Sequence, residues 1–472
     1  MFSPRRLSVL FALTFPALVA ACAEESSPTG GGNTGGGGGA PESGPTYHKD
    51  IAPILQKSCQ SCHRPGDIAP FSLLTYEDAK TVAFLIKEET QARTMPPWGA
   101  FETDECKPPH GYQEDARLSD EEIATLAAWQ EAGSPEGDPA DAPEPVDPPP
   151  TGLQNPSLEL VPQEPFVTSG DTDEFRCFVL DPKITQTTYL NGTFFVPQNR
   201  KVVHHILLFA DETGESLSKM DASGGYDCFG GAGIAGGLIA GWVPGGVPNE
   251  LPSNIGTEIK PGTVFVMQIH YHPAGDVADP DATKVQLRFS EQVPEYSLIT
   301  RLIGNFKTTL PGGNGLLPGP NDPASGAEFL IPANVSDHTE TMLFTMPDKL
   351  GGAPLPELYV YGVGGHMHLV GVDEKVTLEK AGQDETCLLH EPRWDFKWQR
   401  SYAYDAPVTD LPRVEAGDKL RVRCTFDNTK ENPALLEGLA EQGLPDPVDV
   451  TLGESTLEEM CLTALQLVTP NK

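Results

Sequence analysis

The sequence predicts a multidomain protein in which a small all-α domain is followed by two all-β antiparallel sandwich domains. Three observations support this prediction. The chain has 472 residues, which suggests three domains at roughly 150 residues each. Short helical patterns occur between residues 46 and 134. From Leu158 onward, short β-rich runs are separated by glycines and prolines, and long periodic helices are absent.

The composition excludes several classes of protein. There are 32 Lys and Arg against 67 Asp and Glu, so the net charge is −35, and no clustered basic stripe could bind phosphate backbones. We therefore expect no nucleic-acid partner. The hydrophobic fraction of 38% is too high for a wholly disordered chain. The long apolar run lies at the N-terminus alone, which excludes a polytopic membrane protein.

The N-terminus carries the pattern of an export signal. Arg5 and Arg6 precede a short apolar run, Leu7 to Val19, which is too brief and wrongly flanked for a spanning helix. The run ends in Val19-Ala20-Ala21-Cys22, which resembles the lipobox of bacterial lipoproteins. The alternative is an ordinary signal peptide that stops near a cysteine.

This pattern predicts where the protein is located. We expect residues 1–21 to be removed, a lipid on Cys22 to hold the chain at a membrane, and the Gly-rich residues 22–45 to act as a flexible tether. The expected location is the bacterial cell envelope, in the periplasm or at the cell surface. That compartment permits disulfides and covalent haem attachment.

A C-x-x-C-H string, Cys59-Gln60-Ser61-Cys62-His63, follows the tether. It is the attachment signature of c-type haem, in which both thiols bond to the vinyl groups and the histidine ligates iron. A thioredoxin-like dithiol and half of a zinc site are the competing interpretations. No second C-x-x-C completes a zinc tetrad, and no β-α-β pattern surrounds the motif. Met95, in Thr94-Met95-Pro96-Pro97-Trp98, is the candidate for the second iron ligand.

The helical patterns around this motif fit a small haem domain over residues 46–134. His48 to Ser58 is amphipathic, and Ser119 with Glu122 forms a capping box. Val82, Leu85 and Ile86 mark one face of another helix. With the phrases Ile68-Ala69-Pro70-Phe71 and Met95-Pro96-Pro97-Trp98, this region resembles the small cytochrome c domains fused to bacterial oxidases and oxygenases. The resemblance implies one covalently bound haem c, held by Cys59, Cys62, His63 and Met95.

Residues 135–156 are predicted to be a linker. Between Ser134 and Pro150 there are seven prolines, five carboxylates and no basic residue, which favours an extended, self-repelling spacer. The haem domain is then a separable module. A semi-rigid spacer suits electron transfer, although a simple solvated linker would give the same pattern.

Residues 157–472 carry the β-rich runs. They are Phe175 to Leu180, Thr187 to Val196, Lys201 to Phe209, Thr263 to His272, Leu358 to Val363 and Lys419 to Phe426. About 315 residues is large for one sandwich. We therefore expect two, at residues 157–296 and 297–472.

Six of the 11 histidines fall in three tight groups within this region: His204-His205, His270-Tyr271-His272 and His366-Met367-His368. Imidazole suits copper, zinc and iron, and thioether sulfur favours Cu(I). Residues at i and i+2 share one face of a strand and can share a metal, whereas adjacent residues face opposite sides. Strand geometry therefore nominates His270 with His272 and His366 with His368. It leaves the adjacent pair unexplained.

A family resemblance covers residues 157–469. It rests on the ordered set Val203-His204-His205-Ile206, Gln268-Ile269-His270-Tyr271, His366-Met367-His368, Cys424 and Glu459-Met460-Cys461. This set resembles the type II copper, ascorbate-dependent monooxygenases, which include the peptidylglycine and dopamine β-hydroxylating enzymes. The resemblance implies two jelly-roll-like sandwiches that hold two copper ions.

The same resemblance implies a role for each ligand. The electron-transfer copper is assigned to His204, His205 and His270. The oxygen-binding copper, where catalysis takes place, is assigned to His366, His368 and Met460. The resemblance makes His272 a neighbour of the site, and we expect His272, His338 and His390 to be hydrogen-bonded residues that bind no metal.

The cysteine count agrees with this assignment. Nine cysteines, less Cys22 for the lipid and Cys59 with Cys62 for the haem, leave six, an even number as disulfides require. The pairs Cys177–Cys228 and Cys424–Cys461 resemble disulfides of the family. The remaining Cys106 and Cys387 either bridge the haem domain to the second sandwich or stay free thiols.

The resemblance implies an enzyme that hydroxylates an unactivated C–H bond of a small organic substrate with O₂, two electrons and two protons. An unidentified donor would reduce the haem, which would pass electrons to the His204/His205/His270 copper. The rival interpretations are a surface-tethered haem–copper electron carrier without oxygenase activity and a degenerate sandwich that serves as a binding module.

The substrate is constrained by three positions. Peptide-hydroxylating relatives hold the substrate carboxylate with an Arg two residues before the first oxygen-site histidine, and with Asn and Tyr two and four residues after the methionine. This sequence has Gly364, Leu462 and Ala464 there. The bidentate clamp is therefore lost, which favours a neutral or apolar substrate unless Arg393 or another base approaches.

Overall fold

The computed structural model describes residues 44–471, except 66–68, 149, 170–172, 229–230, 244–245, 272–279, 306–314, 320–321, 323, 325, 351, 454 and 456. The predicted signal peptide, Cys22, most of the tether and His272 lie outside the described residues. Within the described part, no helix combines the length and apolar character needed to cross a membrane.

The described part of residues 47–131 folds into short helices. A π-helical turn, Tyr47–Ile51, leads into the first of them, and the α-helices are α1 (Ala52–Ser58), α2 (Tyr76–Thr81), α3 (Ala83–Gln91) and α4 (Asp120–Glu131). The predicted capping box at α4 is confirmed, because the backbone N–H groups of Ser119 and Glu122 each donate to the other's side chain. Ile51, Leu55, Leu126 and Trp129 are fully buried in the small core of this region.

The rest of the described chain is mostly β-sheet, as the sequence predicts. The strands of the first part are β1 (Leu158–Leu160), β2 (Glu174–Leu180), β3 (Thr188–Val196), β4 (Val203–Asp211), β5 (Gly225–Asp227), β6 (Gly237–Trp242), β7 (Asn249–Glu250), β8 (Ile255–Ile259), β9 (Val264–Tyr271) and β10 (Lys284–Ser290). The second part has β11 (Tyr296–Asn305), β12 (Leu330–Ile331), β13 (His338–Thr345), β14 (Lys349–Leu350), β15 (Ala353–Pro354), β16 (Leu358–His366), β17 (Gly371–Glu379), β18 (Thr386–Glu391), β19 (Tyr402–Ala403), β20 (Arg413–Val414), β21 (Lys419–Phe426), helix α5 (Pro433–Glu441), β22 (Val450–Thr451) and β23 (Cys461–Pro470).

Two layers of sheet enclose the first β core. One layer has the strand order β5-β2-β9-β4-β6, and the other consists of β1, β10, β3 and β8. Because alternate side chains of a strand point to one face, each layer buries every second residue against the other. The core includes Phe178, Phe195, Ile206, Phe265 and Leu287.

The second β core lies between the sheet β13-β21-β17-β18 and the strands β11, β23, β16 and β19. It includes Met342, Val360, Val376, Val422 and Leu465. Its second layer continues the sheet of the first part, because β8 and β11 pair in parallel, Ile255 with Tyr296 and Gly256 with Ser297. In the described residues, one ten-stranded sheet therefore runs through both parts.

A strap, residues 98–118, leaves the helices and lies on the second sandwich. Trp98 and Tyr112 are buried in the second β core, and the Phe101 N–H donates to the carbonyl oxygen of His390 at 2.9 Å. Cys106 forms a disulfide with Cys387. The helices are therefore not attached through residues 135–156 alone, which differs from the separable module expected from the sequence.

The other disulfides are those that the family resemblance implies. Cys177 bonds to Cys228, and Cys424 bonds to Cys461. Both predictions are confirmed. The open question about the third pair is settled as well, because Cys106 and Cys387 are bridged and not free thiols.

Candidate metal centres

The first histidine group lies where a β-bulge interrupts the pairing of β4 with β9. The register passes from Val203 opposite Tyr271 to His205 opposite His270, so His204 is an extra residue in β4. A bulge sets two residues of one strand against one of its partner and bends the bulged strand. Both adjacent histidines can therefore approach His270, which a regular strand would not allow.

The Nδ1 atoms of these three histidines converge. His204 Nδ1 lies 3.3 Å from His205 Nδ1, which lies 3.4 Å from His270 Nδ1. Two nitrogens bound to one ion at about 2.0 Å each, at tetrahedral or trigonal angles, are about 3.3–3.5 Å apart. One ligand atom from each histidine lies within 4.8 Å of the other two. The spacing fits a three-nitrogen metal site.

Two neighbours hold the ring of His270. Its Nε2 lies 3.0 Å from Asp173 Oδ1, and Phe175 stacks on it with 4.2 Å between ring centroids. Because a carboxylate accepts, the Nε2–H donates to Asp173 and the Nδ1 lone pair remains on the side of His205. Burial, helped by the neighbouring histidines, lowers the pKa of His205 well below its usual value. The neutral imidazole that a metal requires is thus the stable form.

The second group lies at the adjacent ends of β16 and β23. His366 is the last residue of β16 and pairs with Leu462. His368 follows two residues beyond His366, and Met460 comes two residues before Leu462. Both are buried, with exposed fractions of 6% and 7%, and the rings of His366 and His368 lie 5.2 Å apart. The pairing of β16 with β23 thus places the i, i+2 histidine pair and the methionine at the same end of the two strands.

Each ring of this pair donates its Nδ1–H to an oxygen. His366 Nδ1 lies 2.6 Å from Gln399 Oε1, and His368 Nδ1 lies 2.9 Å from the carbonyl oxygen of Glu458. Both rings keep the Nε2 lone pair for a metal. Burial lowers the pKa of His366, and burial together with the charge of His366 lowers the pKa of His368 to about 3. Two neutral imidazoles beside a thioether form a donor set that suits Cu(I).

Three buried carboxyl groups lie beside this second group, and two of them accept its backbone N–H groups. Glu374 Oε2 accepts the His366 N–H at 3.0 Å, and Glu459 Oε1 accepts the N–H groups of His368 and Met460. Glu391 Oε1 accepts the hydroxyl of Tyr402 at 3.1 Å. Burial raises the pKa of Glu391 to about 7, that of Glu459 to about 8, and that of Glu374 well above its usual value. Glu391 and Glu459 are therefore mostly protonated in mildly acidic solution.

Both ligand sets line one cavity of ≈ 1760 Å³. Phe396 lies between them: its ring stacks on His204 at 5.7 Å and meets His368 edge to face at 6.0 Å, measured between centroids. The ring centroids of His204 and His368 are therefore no further apart than the sum of these two distances. Phe396 starts a 3₁₀ turn, Phe396–Trp398, that Asp395 caps by accepting the Lys397 N–H.

The predicted haem ligands lie in the helical region. Among the described cysteines, Cys59 and Cys62 are the two outside disulfides. Burial raises the pKa of the Cys59 thiol to about 12, which does not suit the reactive thiolate of a dithiol oxidoreductase. His63 Nδ1 lies 3.2 Å from the carbonyl oxygen of Phe71, an arrangement that leaves Nε2 for iron. Met95 follows α3, and its N–H donates to the carbonyl oxygen of Glu89.

Sequence reasoning missed several contacts of the site. Asp173, Phe396 and Gln399 each touch a histidine of one of the two sets, but all three lie outside the strands and their alternation. No pattern distinguishes Asp173 from the other acidic residues of so acidic a chain. By contrast, two histidines expected to bind no metal are hydrogen-bonded: His338 to Glu340 at 2.8 Å, and His390 to Thr103 and Asp373 at 2.8 and 2.7 Å.

The described chain is mostly β-sheet, and a three-histidine set and a set of two histidines and one methionine line one cavity. Residues 331–443 match the family described as copper type II ascorbate-dependent monooxygenase, C-terminal domain. That range contains His366 and His368. The second ligand set is thus partly within a segment similar to a copper monooxygenase domain.

One curated protein gives an independent similarity. The chain is 25% identical over 314 residues to the Homo sapiens protein named "Putative DBH-like monooxygenase protein 2". The match covers 64% of this chain and 54% of that protein, so the chain spans about half the length of this relative. Both comparisons are with monooxygenases, and the matching domain family is described as a copper enzyme.

Solved structures match only weakly. The major capsid protein P2 of bacteriophage PM2 has a TM-score of 0.28 at 9% identity, covering 67% of this chain and 98% of that chain. Allantoicase has 0.16 at 11%, covering 56% and 79%. The VP2 subviral particle of infectious bursal disease virus has 0.18 at 8%, covering 69% and 75%. We draw no argument from matches at these TM-scores.

Proposed function

We propose that this chain is a copper-dependent monooxygenase that hydroxylates a C–H bond of a small organic substrate. One O₂, two electrons and two protons convert the C–H bond to an alcohol, with water as the second product. The observation that carries the proposal is that two ligand sets, distant in sequence, line one cavity. The similarity of residues 331–443 to a copper monooxygenase domain agrees with it.

The donor chemistry of both sets fits copper. Three buried or half-buried imidazoles would hold one ion through His204, His205 and His270, and the softer set of His366, His368 and Met460 would hold the other. Bound copper ions would supply the one-electron redox chemistry that directs O₂ to a C–H bond.

The chain's own residues prepare these sets. Asp173, Gln399 and the Glu458 carbonyl accept the single N–H of the neutral rings of His270, His366 and His368. Each hydrogen bond fixes the tautomer and directs the other ring nitrogen to the metal. Phe396 separates the two sets with one apolar ring. Glu374 and Glu459 hold the backbone on either side of the second set, so that the ligands keep their positions before any ion binds.

We also propose that residues 46–134 bind one haem c, attached through Cys59 and Cys62 and ligated by His63 and Met95. A bound haem would accept single electrons from an external donor. Cys62, Pro97 and Trp98 line the same cavity as the histidine sets, which supports electron entry from the helical side toward the His204 set. The lipid on Cys22 would hold the enzyme at a membrane of the cell envelope.

The test is a metal count on the purified, copper-loaded full chain. We expect two coppers by mass spectrometry and one haem by the pyridine haemochrome spectrum. His270→Ala should remove one copper, and the double variant His366→Ala, His368→Ala should remove the other. His48→Ala, in the helical region and far along the chain from both sets, should keep both.

Three other results would contradict the proposal. One copper with haem would favour the electron carrier, and no copper would favour a binding module. Two coppers that survive both sets of substitutions would show that the ions lie elsewhere.

A further inference from the structure

Three strands present an apolar row to the cavity beside the second ligand set. Gly364 of β16 pairs with Ala464 of β23, and Ala464 pairs with Leu302 of β11. One row closer to the histidines, Leu462 lies between His366 and Gly304. Because alternate residues share a face, these side chains point the same way, and they line the cavity. We name the Leu302 patch for its members Leu302, Gly364, Leu462 and Ala464.

This patch is accessible from the cavity and faces further apolar side chains. Leu302 is 37% exposed, although its strand is paired with β23 at this position. Strand β6 lies against β11, and from it and the following segment come Ile239, Trp242, Val243 and Val247, all in the same lining. The next row along the patch, Thr300 and Gln466, is polar but uncharged. Apolar walls of this extent mark a binding site for apolar material.

The structure leaves no room at Gly364 for a basic side chain that would clamp a carboxylate. A Cβ on Gly364 would lie 2.7 Å from Ser401 Oγ and 3.0 Å from the carbonyl oxygen of Arg400, so the β19 edge would have to move. Arg393 lies outside the lining of this cavity, because its guanidinium donates to the Ala92 carbonyl at 2.7 Å and sits over Phe101. Arg400 does line the cavity, but its guanidinium stacks over Trp98 at 4.9 Å.

The size of the site indicates a long ligand. The whole cavity, which also contains both ligand sets, has a volume of ≈ 1760 Å³, against about 300–1,000 Å³ for the usual small-molecule site. The lining continues from the patch across β8 and β3, where it includes Thr257 and Leu190. From β16 to β3 there are four strand spacings of about 4.8 Å, or about 19 Å. That is the length of a long alkyl chain and not of an amino acid or a simple amine.

From this geometry we propose that the substrate is a long-chain alkyl compound whose body lies on the Leu302 patch, with one carbon beside Met460. The proposal rests on the proposed monooxygenase function and names its substrate class. The apolar patch supplies affinity through the area that it removes from water, and the uncharged row allows the chain to slide to the position at which one C–H bond faces the second ligand set.

Binding of a homologous series of n-alcohols tests this proposal in the metal-free full chain. Hexanol to hexadecanol are titrated, and binding is followed by tryptophan fluorescence, since Trp242 lines the cavity. Each added CH₂ should tighten binding about fourfold until the chain fills the site. A flat dependence on chain length, or no binding of any alcohol, would overturn the proposal.

Two substitutions locate the binding. Leu302→Asp and Ala464→Asp, each folded by circular dichroism, should weaken dodecanol binding at least about tenfold, because the charge must lose its water against an apolar ligand. The matched control is Leu350→Asp, since Leu350 is 45% exposed on β14 and lies outside the lining, and it should leave binding unchanged. Equal effects at 302, 464 and 350 would place the alcohols elsewhere.

The readout separates this proposal from the proposed function. Alcohol binding without copper binding would contradict the monooxygenase but leave the alkyl site standing. Two bound coppers without alcohol binding would contradict the alkyl site alone.

Discussion

His204 shows how one residue decides whether a motif can form a site. Strand alternation alone separates adjacent histidines, and the sequence therefore nominated His270 with His272 instead. The bulge that lets both His204 and His205 approach His270 depends on the pairing of β4 with β9. Strand β9 lies more than fifty residues away in the chain. Only the family resemblance anticipated this grouping, because local periodicity holds no information about a register shift.

Asp173 is expected to control the affinity of the first set through His270. Asp173→Ala removes the acceptor of the Nε2–H, so the ring can rotate and change tautomer. Loss of such an outer partner typically costs about 10–100-fold in metal affinity. Competition with a chelator of known copper affinity measures the change, and Asp181→Ala, at an exposed carboxylate bonded to Lys183, is the control. Unchanged affinity in Asp173→Ala would show that the hydrogen bond does not orient the ligand.

Glu391 is expected to make the fold less stable as the pH rises. Burial raises the pKa of Glu391 from its usual 4.5 to about 7, so the folded state binds this proton more tightly than the unfolded state does. The resulting stabilisation is complete below pH 4.5 and is lost as the pH rises through 7. Glu374 has a pKa raised in the same direction, partly by the charge of Glu391. Ionisation of this pair is therefore opposed by burial and by mutual repulsion.

The variant Glu391→Gln should remove part of this dependence. Its amide cannot ionise and still accepts the hydroxyl of Tyr402. In the metal-free parent, the free energy of unfolding should fall between pH 5 and pH 8. In Glu391→Gln this fall should be smaller by up to about 3 kcal/mol. Urea unfolding at both pH values measures it, with Glu88→Gln at an exposed site of α3 as the control. An identical pH dependence in both variants would contradict the assignment.

Among the elements, the strands were predicted well and the strap was not. The expected runs at Thr187 to Val196 and Lys419 to Phe426 correspond closely to β3 and β21, because half-buried strands show their alternation in the sequence. Strand β16 continues three residues beyond the expected end, through Gly364 and Gly365, to His366. Glycines weaken a strand pattern, yet here they lie where neighbouring side chains leave no room for a Cβ.

The strap has no such pattern because single anchors hold it. Trp98 and Tyr112 enter the second core, Tyr112 stacks on Tyr404 at 5.5 Å, and the Gln113 N–H donates to the Ala403 carbonyl at 2.8 Å. These partners come from β19 and its surroundings, nearly 300 residues away. Sequence periodicity cannot report contacts that a second segment of chain creates.

Removal of the disulfide should measure how strongly the strap is held. In the double variant Cys106→Ser, Cys387→Ser, the unfolded chain regains the freedom of a long loop, and a native disulfide typically contributes about 2–5 kcal/mol. Thr103→Val keeps the disulfide and removes the hydrogen bond to His390, so its cost should be nearer to about 1 kcal/mol. Urea unfolding under non-reducing conditions compares the two. A double variant as stable as the parent would mean that the aromatic anchors alone secure the strap.

At the scale of the whole molecule, one strand, β8, contributes side chains to the cores of both sandwiches. Ile255 of β8 belongs to the strand layer of the first sandwich but is buried in the core of the second, together with Trp98 and Tyr112 of the strap. Four residues along the same strand, Ile259 is buried in the first core. Strand β8 therefore contributes to both cores. The second ligand set lies at the end of the ten-stranded sheet that contains β8, and the first set lies on the five-stranded sheet of the first sandwich.

This sharing predicts that the sandwiches unfold together. Ile255→Ala and Ile259→Ala are a matched pair, since the side chains are identical, lie on one strand and are 2% and 1% exposed. Each should cost about 2–5 kcal/mol. If the cores are coupled, calorimetry of the metal-free chain should show both substitutions lowering the midpoint temperature of the same unfolding transition. The reason is that neither core persists when the strand between them is lost. Two separate transitions, one lowered by Ile255→Ala and the other by Ile259→Ala, would show instead that each sandwich holds its own ligand set independently.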